Sequence, residues 1–183
     1  MERTNYAIET MSKDELLEYA MNEFGNDVLY LAYSYVNDYR IAEDLAQEAF
    51  VKFYKRIDTF KWESSLKTWL LKITANHCKD YKKSWYNRMV SAGGQFNRLL
   101  KGKDLGPEQT ILKRSDQAEL SDRVLSLPIK YREVIYLFYF EDMSLKEVAD
   151  CLILNLNTVK TRMARAKELL KKTYEEGGAG CGE

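Results

Sequence analysis

The chain has 183 residues, a length that suits one medium domain or two small ones. With 45% hydrophobic residues, two prolines and nine glycines, its composition favours a folded protein rich in helices over one rich in strands. No apolar run approaches the roughly 20 residues that cross a bilayer, and the polar N-terminus lacks the pattern of a secretory signal, so we expect a cytoplasmic protein. Cys78, Cys151 and Cys181 show no metal-site or disulfide spacing, so we expect no metal and no cofactor.

The formal net charge is zero, but the charges are unevenly distributed. Residues 1–60 hold 6 Lys and Arg against 12 Asp and Glu, a net charge of −6. Residues 61–113 hold 11 against 4, and residues 114–183 hold 11 against 12. Within the last part, residues 158–172 hold 6 basic side chains and one acid. Because salt screens charges beyond about 10 Å, the two basic segments favour local contacts with phosphate despite the neutral total.

Apolar residues recur at steps of three and four over residues 13–35 and 41–57, which predicts two amphipathic helices. Ser12, followed three residues later by Glu15, has the pattern of a capping box. Residues 37–38, Asn-Asp, favour a break between the helices. The outer face of the second helix carries acidic and amide side chains.

A third helix is predicted to begin at residue 66 and to continue through the basic stretch at residues 79–83. These three helices predict a first domain over residues 1–85. Residues 86–115 lose the helical periodicity and contain several glycines, so we interpret them as a flexible linker.

The second domain is predicted over residues 116–174, with a disordered tail at residues 175–183. Its strongest motif, residues 144–172, consists of a short amphipathic helix, a turn and a second helix, as in DNA-reading helix-turn-helix units. Asn155 is a suitable N-cap for the second helix. Such turns often have Gly where this chain has Ile153, so we expect Ile153 to be extended or helical rather than left-handed.

The second helix of such a unit enters the major groove. Val159 and Met163 would anchor it from beneath and leave a polar outer face. Arg and Lys can donate to guanine or phosphate, and the Thr methyl can contact a thymine methyl. The candidate DNA contacts are Asn157, Thr158, Lys160, Thr161, Arg162 and Arg165. We favour base or near-base contact for Lys160, Thr161 and Arg165, and a phosphate contact for Arg162.

Two stretches resemble conserved domains of bacterial RNA polymerase sigma factors. Region 2 is similar to residues 42–83, which read AEDLAQEAFVKFYKRIDTFKWESSLKTWLLKITANHCKDYKK. Region 4 is similar to residues 127–172, which read LPIKYREVIYLFYFEDMSLKEVADCLILNLNTVKTRMARAKELLKK. No third domain can be seen between them, a layout typical of the extracytoplasmic-function group. The resemblance implies an all-α fold of two small helical domains joined by a flexible linker.

The resemblance also implies a division of labour in transcription initiation. The helix-turn-helix would bind the −35 element as duplex, whereas the first domain would bind and open the −10 element. The acidic helix would dock on the β′ clamp helices of core RNA polymerase through Asp44, Gln47 and Glu48, and the linker would run toward the active site and the β subunit. An anti-sigma factor is a further implied partner.

Strand opening requires an aromatic pocket for a flipped base, polar groups that read its edge and cations along the backbone. The candidate pocket residues and readers are Phe60, Trp62, Ser64, Ser65 and Asn76. The candidate cations are Lys61, Lys72, Lys79, Lys82 and Lys83. Trp62 stands where the family usually has Gly, and it is either a local packing change or an extra stacking surface. We expect Trp69 and His77 to be structural.

Three other functions compete with this interpretation. A helix-turn-helix regulator that binds duplex DNA without polymerase would leave the aromatic and basic segment at residues 60–69 unexplained. A helical adaptor that binds only proteins is disfavoured by the local basic segments. An enzyme is disfavoured because the sequence shows no Ser/His/Asp set, no metal-ligand spacing and no phosphate-binding glycine loop, and contains a single His.

Overall fold

The computed structural model of the chain describes residues 8–91 and 123–178, and within these ranges it contains helices and no strand. The helices of the first domain are α1 (Lys13–Val36), α2 (Tyr39–Arg56), a short 3-10 helix (Ile57–Thr59) and α3 (Leu66–Ser91). The helices of the second domain are α4 (Ile129–Tyr139), α5 (Leu145–Leu152) and α6 (Leu156–Gly178). The predicted all-α class is confirmed. None of these helices is long and apolar enough to span a membrane.

The caps of α1 and α2 follow from side chains that were visible in the sequence. Ser12 Oγ accepts a hydrogen bond from the Glu15 N–H at 3.3 Å, and Glu15 Oε2 accepts one from the Ser12 N–H at 2.7 Å. Asn37 ends α1 in the left-handed conformation, with φ 54°. Asp38 then begins α2 by accepting the N–H of Ile41 at 3.0 Å. A cap of this kind contributes about 1 kcal/mol to stability.

The first domain packs α1, α2 and α3 against one another around a common core. Phe53 of α2 is fully buried, and its ring centroid lies 5.3 Å from that of Trp69 on α3. Leu31 of α1 and Leu70 of α3 are also inaccessible to solvent. Truncating a buried aromatic such as Phe53 typically costs about 3–5 kcal/mol, so these contacts fix the position of α2 and α3.

The second domain has the helix-turn-helix geometry predicted from the sequence. The first helix of the unit, α5, begins with a capping box formed by Ser144 and Glu147. Ala149 is 5% exposed and lies among the core residues of α5, which packs against α6. Val159 and Met163 of α6 are buried beneath the outer face of that helix. The opposite face of α6, which carries Lys160, Thr161 and Arg165, is therefore exposed to solvent.

The two domains pack together: α4 lies against α1, and α5 lies against α3. α3 continues to Ser91, beyond the predicted end of the first domain at residue 85, and α6 continues to Gly178. Most of the predicted linker, the start of the second domain and the end of the tail lie outside the described residues. Their predicted boundaries remain predictions.

The expectation for Ile153 is wrong. Ile153 follows α5 with φ 56° and ψ 51°, in the left-handed region. The reason is the local hydrogen bonding: the N–H groups of Ile153 and Leu154 both turn back to the Ala149 carbonyl, the second at 2.9 Å. These bonds satisfy the end of α5 and direct the chain into α6, at the cost of an unfavourable backbone conformation for a β-branched residue.

We therefore expect Ile153→Gly to stabilise the protein by about 1 kcal/mol, because the strain of a left-handed β-branched residue exceeds the entropy that glycine loses on folding. Ile153 is 67% exposed, so little burial is lost. The melting temperature should rise by about 2–4 °C. Ile153→Ala is the matched control, since it removes the side chain but keeps the strained φ. An equal rise for both variants would contradict this explanation.

Candidate nucleic-acid interface

The outer face of α6 begins at a well-formed N-terminus. Asn155 Oδ1 accepts a hydrogen bond from the Asn157 N–H at 2.8 Å, as predicted for an N-cap. Thr161 Oγ1 donates to the Asn157 carbonyl at 2.9 Å, which leaves the oxygen of this hydroxyl able to accept. Of the six candidate residues on α6, four are exposed and two are half-buried: Asn157, Lys160, Thr161 and Arg165, then Thr158 and Arg162.

Arg165 is exposed and pairs with Glu168 across one turn, with 2.6 Å between Nη1 and Oε2. Both side chains are at least half exposed, and surface pairs of this kind contribute less than about 1 kcal/mol. Breaking the ion pair with Glu168 therefore costs little free energy, and the guanidinium of Arg165 is free to bind the edge of a base.

Arg162 has a different environment from the other basic residues of α6. Its Nη1 donates to Glu133 Oε1 of α4 at 2.8 Å. Glu133 is only 3% exposed. The guanidinium of Arg162, which was predicted to contact a DNA phosphate, therefore pairs with a carboxylate of the protein itself.

The loop before α3 carries a stack of aromatic rings. Phe60 lies between Trp62 and Trp69, with ring centroids 4.8 Å and 4.7 Å away. Trp62 has φ 58°, which explains why a glycine is common at this position: the backbone there is left-handed. The ring of Trp62 is 37% exposed. Trp62 thus packs on Phe60 and also presents an aromatic surface to solvent.

The polar side chains predicted to read a flipped base differ in whether their hydrogen-bonding groups are already engaged within the protein. Ser65 Oγ accepts the Thr68 N–H at 3.0 Å, so its side chain is part of the N-terminal cap of α3. Ser64 is exposed, and its hydroxyl makes a long 3.4 Å contact with the Ser65 carbonyl. Asn76 lies nearly three turns into α3 and is half-buried. Ser64 and Asn76 are therefore better placed than Ser65 to read a base.

The five candidate lysines do not share one environment. Lys61 and Lys83 are exposed, and Lys72 is half-buried. Lys79 Nζ lies 3.2 Å from Glu133 Oε2 and contacts the Leu152 carbonyl at 3.4 Å.

Lys82 lies over the ring of Trp85, with 5.5 Å between Nζ and the centroid. Burial, and then the positive charge of Arg132, lower the pKa of Lys82. Lys79 and Lys82 thus lie beside the second domain, whereas Lys61 and Lys83 face solvent.

The acidic face of α2 is exposed at all three candidate residues, Asp44, Gln47 and Glu48. Glu48 Oε2 lies 2.8 Å from His77 Nε2, and the other ring nitrogen lies 2.6 Å from Lys52 Nζ. Burial and then the Lys52 charge lower the pKa of His77. A neutral imidazole between an ammonium and a carboxylate ties α2 to α3, which agrees with the structural role expected for His77.

Neither cysteine among the described residues is suited to thiolate chemistry. Cys78 and Cys151 are buried, and burial raises the pKa of each to about 12. No group of three His, Cys, Asp or Glu side chains that could hold a metal ion occurs in residues 8–91 and 123–178. Cys181 lies outside the described residues.

Sequence reasoning missed the residues that join the two domains, above all Glu133, Tyr35 and Arg132. Tyr35 Oη donates to Glu133 Oε2 at 2.7 Å, and Arg132 Nη1 donates to the Ser34 carbonyl at 2.6 Å. A signal was available, because Glu133 is an acid among the apolar residues on the inward side of α4. A buried charge requires partners, and here they come from other helices.

Two family models match the chain. Sigma-70 region 2 matches residues 20–86, and sigma-70 region 4 matches residues 117–170. The chain is 31% identical over 161 residues to the ECF RNA polymerase sigma factor SigW of Bacillus subtilis (strain 168), covering 84% of this chain and 86% of the relative. It is 30% identical over 156 residues to the RNA polymerase sigma factor SigV of the same organism, covering 85% and 89%.

Two solved structures of protein complexes contain a chain with a similar fold. One is the sigma factor RpoE in complex with the anti-sigma factor NepR from Bartonella quintana, with TM-score 0.72, 22% identity and coverage of 90% and 98%. Another is CnrH in complex with the cytosolic domain of CnrY, with TM-score 0.65, 21% identity and coverage of 94% of both chains. These likenesses show that the fold described above occurs in both proteins.

Proposed function

Because this chain belongs to the extracytoplasmic-function sigma factors of the sigma-70 family, which deliver core RNA polymerase to promoters, we propose that its described surfaces divide promoter recognition among α2, α3 and α6. The proposal rests above all on the outer face of α6, where Lys160, Thr161 and Arg165 are exposed on a helix whose opposite side is buried. The protein itself needs no catalytic residue for this role, and it works in the cytoplasm, where the polymerase is.

α6 reads the −35 element as duplex DNA. A helix held by Val159 and Met163 presents its first two turns to the major groove. Lys160 and Arg165 donate to guanine or phosphate oxygens, and the free N–H groups of the helix start face a phosphate. Thr161 contributes its methyl group and a hydroxyl oxygen.

The loop before α3 and the first turns of α3 open the −10 element. The exposed ring of Trp62, stacked on Phe60, supplies a surface onto which an unstacked base can move. Asn76 and Ser64 supply donors and acceptors for the edge of that base. Lys61 and Lys83 supply exposed charge for the single-stranded backbone.

The acidic face of α2 docks on core RNA polymerase. Asp44, Gln47 and Glu48 lie within two turns on one exposed side of the helix, so a basic helical partner can meet all three. An anti-sigma factor is a second protein partner in this proposal, supported by the solved sigma factor RpoE, which is bound to the anti-sigma factor NepR.

The −10 part of the proposal is tested by Asn76→Ala. We expect holoenzyme with this variant to open the −10 element about 5- to 150-fold less well, because an edge reader contributes about 1–3 kcal/mol. Strand opening is measured by 2-aminopurine fluorescence on a promoter fragment, and core binding is measured separately. Asn87→Ala, an exposed amide farther along the same helix, is the matched control. If Asn76→Ala weakens core binding as much as strand opening, Asn76 is only a structural residue.

A further inference from the structure

His77, the single histidine of the chain, links α3 to the acidic face of α2. Its side chain is only 9% exposed, and its two ring nitrogens lie against different residues of α2. Nδ1 lies 2.6 Å from Lys52 Nζ, and Nε2 lies 2.8 Å from Glu48 Oε2. Lys52 is half-buried, whereas the side chain of Glu48 is 64% exposed. The imidazole therefore connects a partly covered ammonium to a carboxylate at the surface.

The chemistry of the two neighbours fixes the position of the ring proton. An ammonium has donors and no acceptor, so Lys52 donates to Nδ1, which is therefore unprotonated. The proton of the neutral imidazole then lies on Nε2, where it faces the Glu48 carboxylate. Burial and then the Lys52 charge lower the pKa of His77, against the opposing charges of Glu48 and Asp80, so the ring is mainly neutral at neutral pH.

Glu48 and Lys52 occupy positions on α2 that would otherwise favour a direct ion pair. They are four residues apart with the acid first, which is the favourable order for such a pair on an exposed helix. Here the ring of His77 contacts both side chains. The Lys52 ammonium is thereby held against α3, and Glu48 presents Oε2 to the ring while Oε1 can bind a partner.

This arrangement bears directly on the docking face of α2, because Glu48 forms one end of the face that also carries Asp44 and Gln47. A glutamate that is free in solution loses rotamer freedom when a partner binds it, and this loss reduces the affinity. A glutamate that His77 already holds loses less. A lysine beside the same face would repel a basic partner, and the bond to Nδ1 draws that charge toward α3.

We infer that His77 is a positioning residue for polymerase docking, which fixes the carboxylate of Glu48 at the acidic face of α2 and holds the ammonium of Lys52 away from it. Docking of α2 on core RNA polymerase is the proposed function on which this role rests. His77 is buried, so it acts through Glu48 rather than by touching the polymerase.

Nitrogen NMR of the free, full-length protein tests the geometry without polymerase. Because the chain has one histidine, its imidazole signals are identified at once. We expect a neutral ring with its proton on Nε2 and a pKa below the ordinary value of 6.5. Glu48→Ala should lower that pKa further, because it removes a carboxylate that favours the charged ring. A proton on Nδ1, or a pKa that Glu48→Ala leaves unchanged, would overturn the positioning role.

The affinity for core RNA polymerase at neutral pH tests the consequence. His77→Leu keeps an apolar side chain in the buried site but holds neither neighbour, so the affinity should fall about 3- to 10-fold. His77→Gln should bind within about 2-fold of the parent, because its amide offers both an acceptor for Lys52 and a donor for Glu48. Thr74→Val is the matched control, since the buried Thr74 hydroxyl donates to the Leu70 carbonyl within α3.

Two further measurements separate positioning from general damage to the fold. In a Glu48→Ala background, His77→Leu should change the affinity by less than about 2-fold, because the residue that it positions is absent. As the pH falls below 6.5, a protonated ring can no longer accept from Lys52 and adds positive charge beside the docking face. The parent should then lose affinity relative to His77→Gln, and titration of the polymerase itself cancels in this ratio.

Three results would contradict the role of His77. His77→Leu could bind as Thr74→Val does, it could weaken binding equally in the Glu48→Ala background, or the ratio of parent to His77→Gln could stay constant with pH. Circular dichroism shows whether His77→Leu folds, and His77→Gln with its pH profile decides the matter if it does not. A parent protein that fails to bind core RNA polymerase would refute the proposed function, whereas the NMR result tests the geometry independently.

Discussion

Reversing the charge of Asp44 should weaken binding of the chain to core RNA polymerase by about 30-fold. Asp44 is exposed on α2, so Asp44→Lys should change stability by no more than about 0.5 kcal/mol. At the interface, however, a favourable pair becomes a like-charge contact, and such contacts cost several kcal/mol. We expect a loss of about 2 kcal/mol, most of it in the dissociation rate.

The measurement is a titration of labelled protein with core enzyme at fixed salt. Glu18→Lys is the matched control, because Glu18 is an exposed acid on α1, away from the docking face. Equal weakening by both variants would mean that general charge attraction, rather than a docking face on α2, holds the polymerase. If Asp44→Lys leaves the affinity for core RNA polymerase unchanged, the acidic face of α2 is not the docking surface.

Replacing Arg165 with Ala should cost about 1–3 kcal/mol of binding to the −35 element, and the loss should be confined to one base-pair position. Arg165 is exposed and pairs with the exposed Glu168, so Arg165→Ala leaves the core undisturbed. At the altered position, the variant should bind all four base pairs with similar affinity. The discrimination lost corresponds to about 5- to 150-fold.

Holoenzyme binding to a set of −35 duplexes, each changed at one position, measures this effect at constant ionic strength. Lys167→Ala is the matched control: Lys167 is a basic residue of the same helix whose ammonium lies over the ring of Tyr139, 5.7 Å from its centroid. A uniform loss across all duplexes would identify Arg165 as a phosphate contact. The same uniform loss for Lys167→Ala would point to general attraction by the charge of α6.

The helices and their ends could be predicted because their causes lie close together in the sequence. The capping pair of Ser12 and Glu15, the break at Asn37 and the cap at Asn155 each involve residues no more than four positions apart. The buried face of α6, anchored by Val159, was visible as a repeat of three and four positions. The helix-turn-helix and its outward residues followed from these local signals.

The backbone conformations of Ile153 and Trp62 could not be predicted in the same way. Both are left-handed although neither is glycine, with φ 56° and 58°. At Ile153 the backbone hydrogen bonds that end α5 outweigh the local preference, and at Trp62 the left-handed backbone accompanies the packing of its ring on Phe60. The frequent occurrence of glycine at both positions in similar proteins was a hint, because glycine adopts such angles without strain.

The packing of the two domains depends on residues too far apart in the chain for pattern reasoning. Glu133 and Tyr35 meet across 98 positions, and neither belongs to a motif. Lys79 and Arg162 were predicted to contact DNA, yet both are half-buried and both pair with one carboxylate. Charge at a helical position indicates which side chains can bind phosphate, and only the tertiary structure shows which are already occupied.

Promoter-specific transcription with purified core RNA polymerase shows whether this chain acts as a sigma factor. The protein, core enzyme and a library of DNA fragments are combined, and the transcribed fragments are sequenced. We expect transcripts from fragments that share two short elements at constant spacing, and a stable complex of the chain with core enzyme when DNA is omitted. Absence of both the promoter-specific transcripts and the DNA-independent complex would contradict the account.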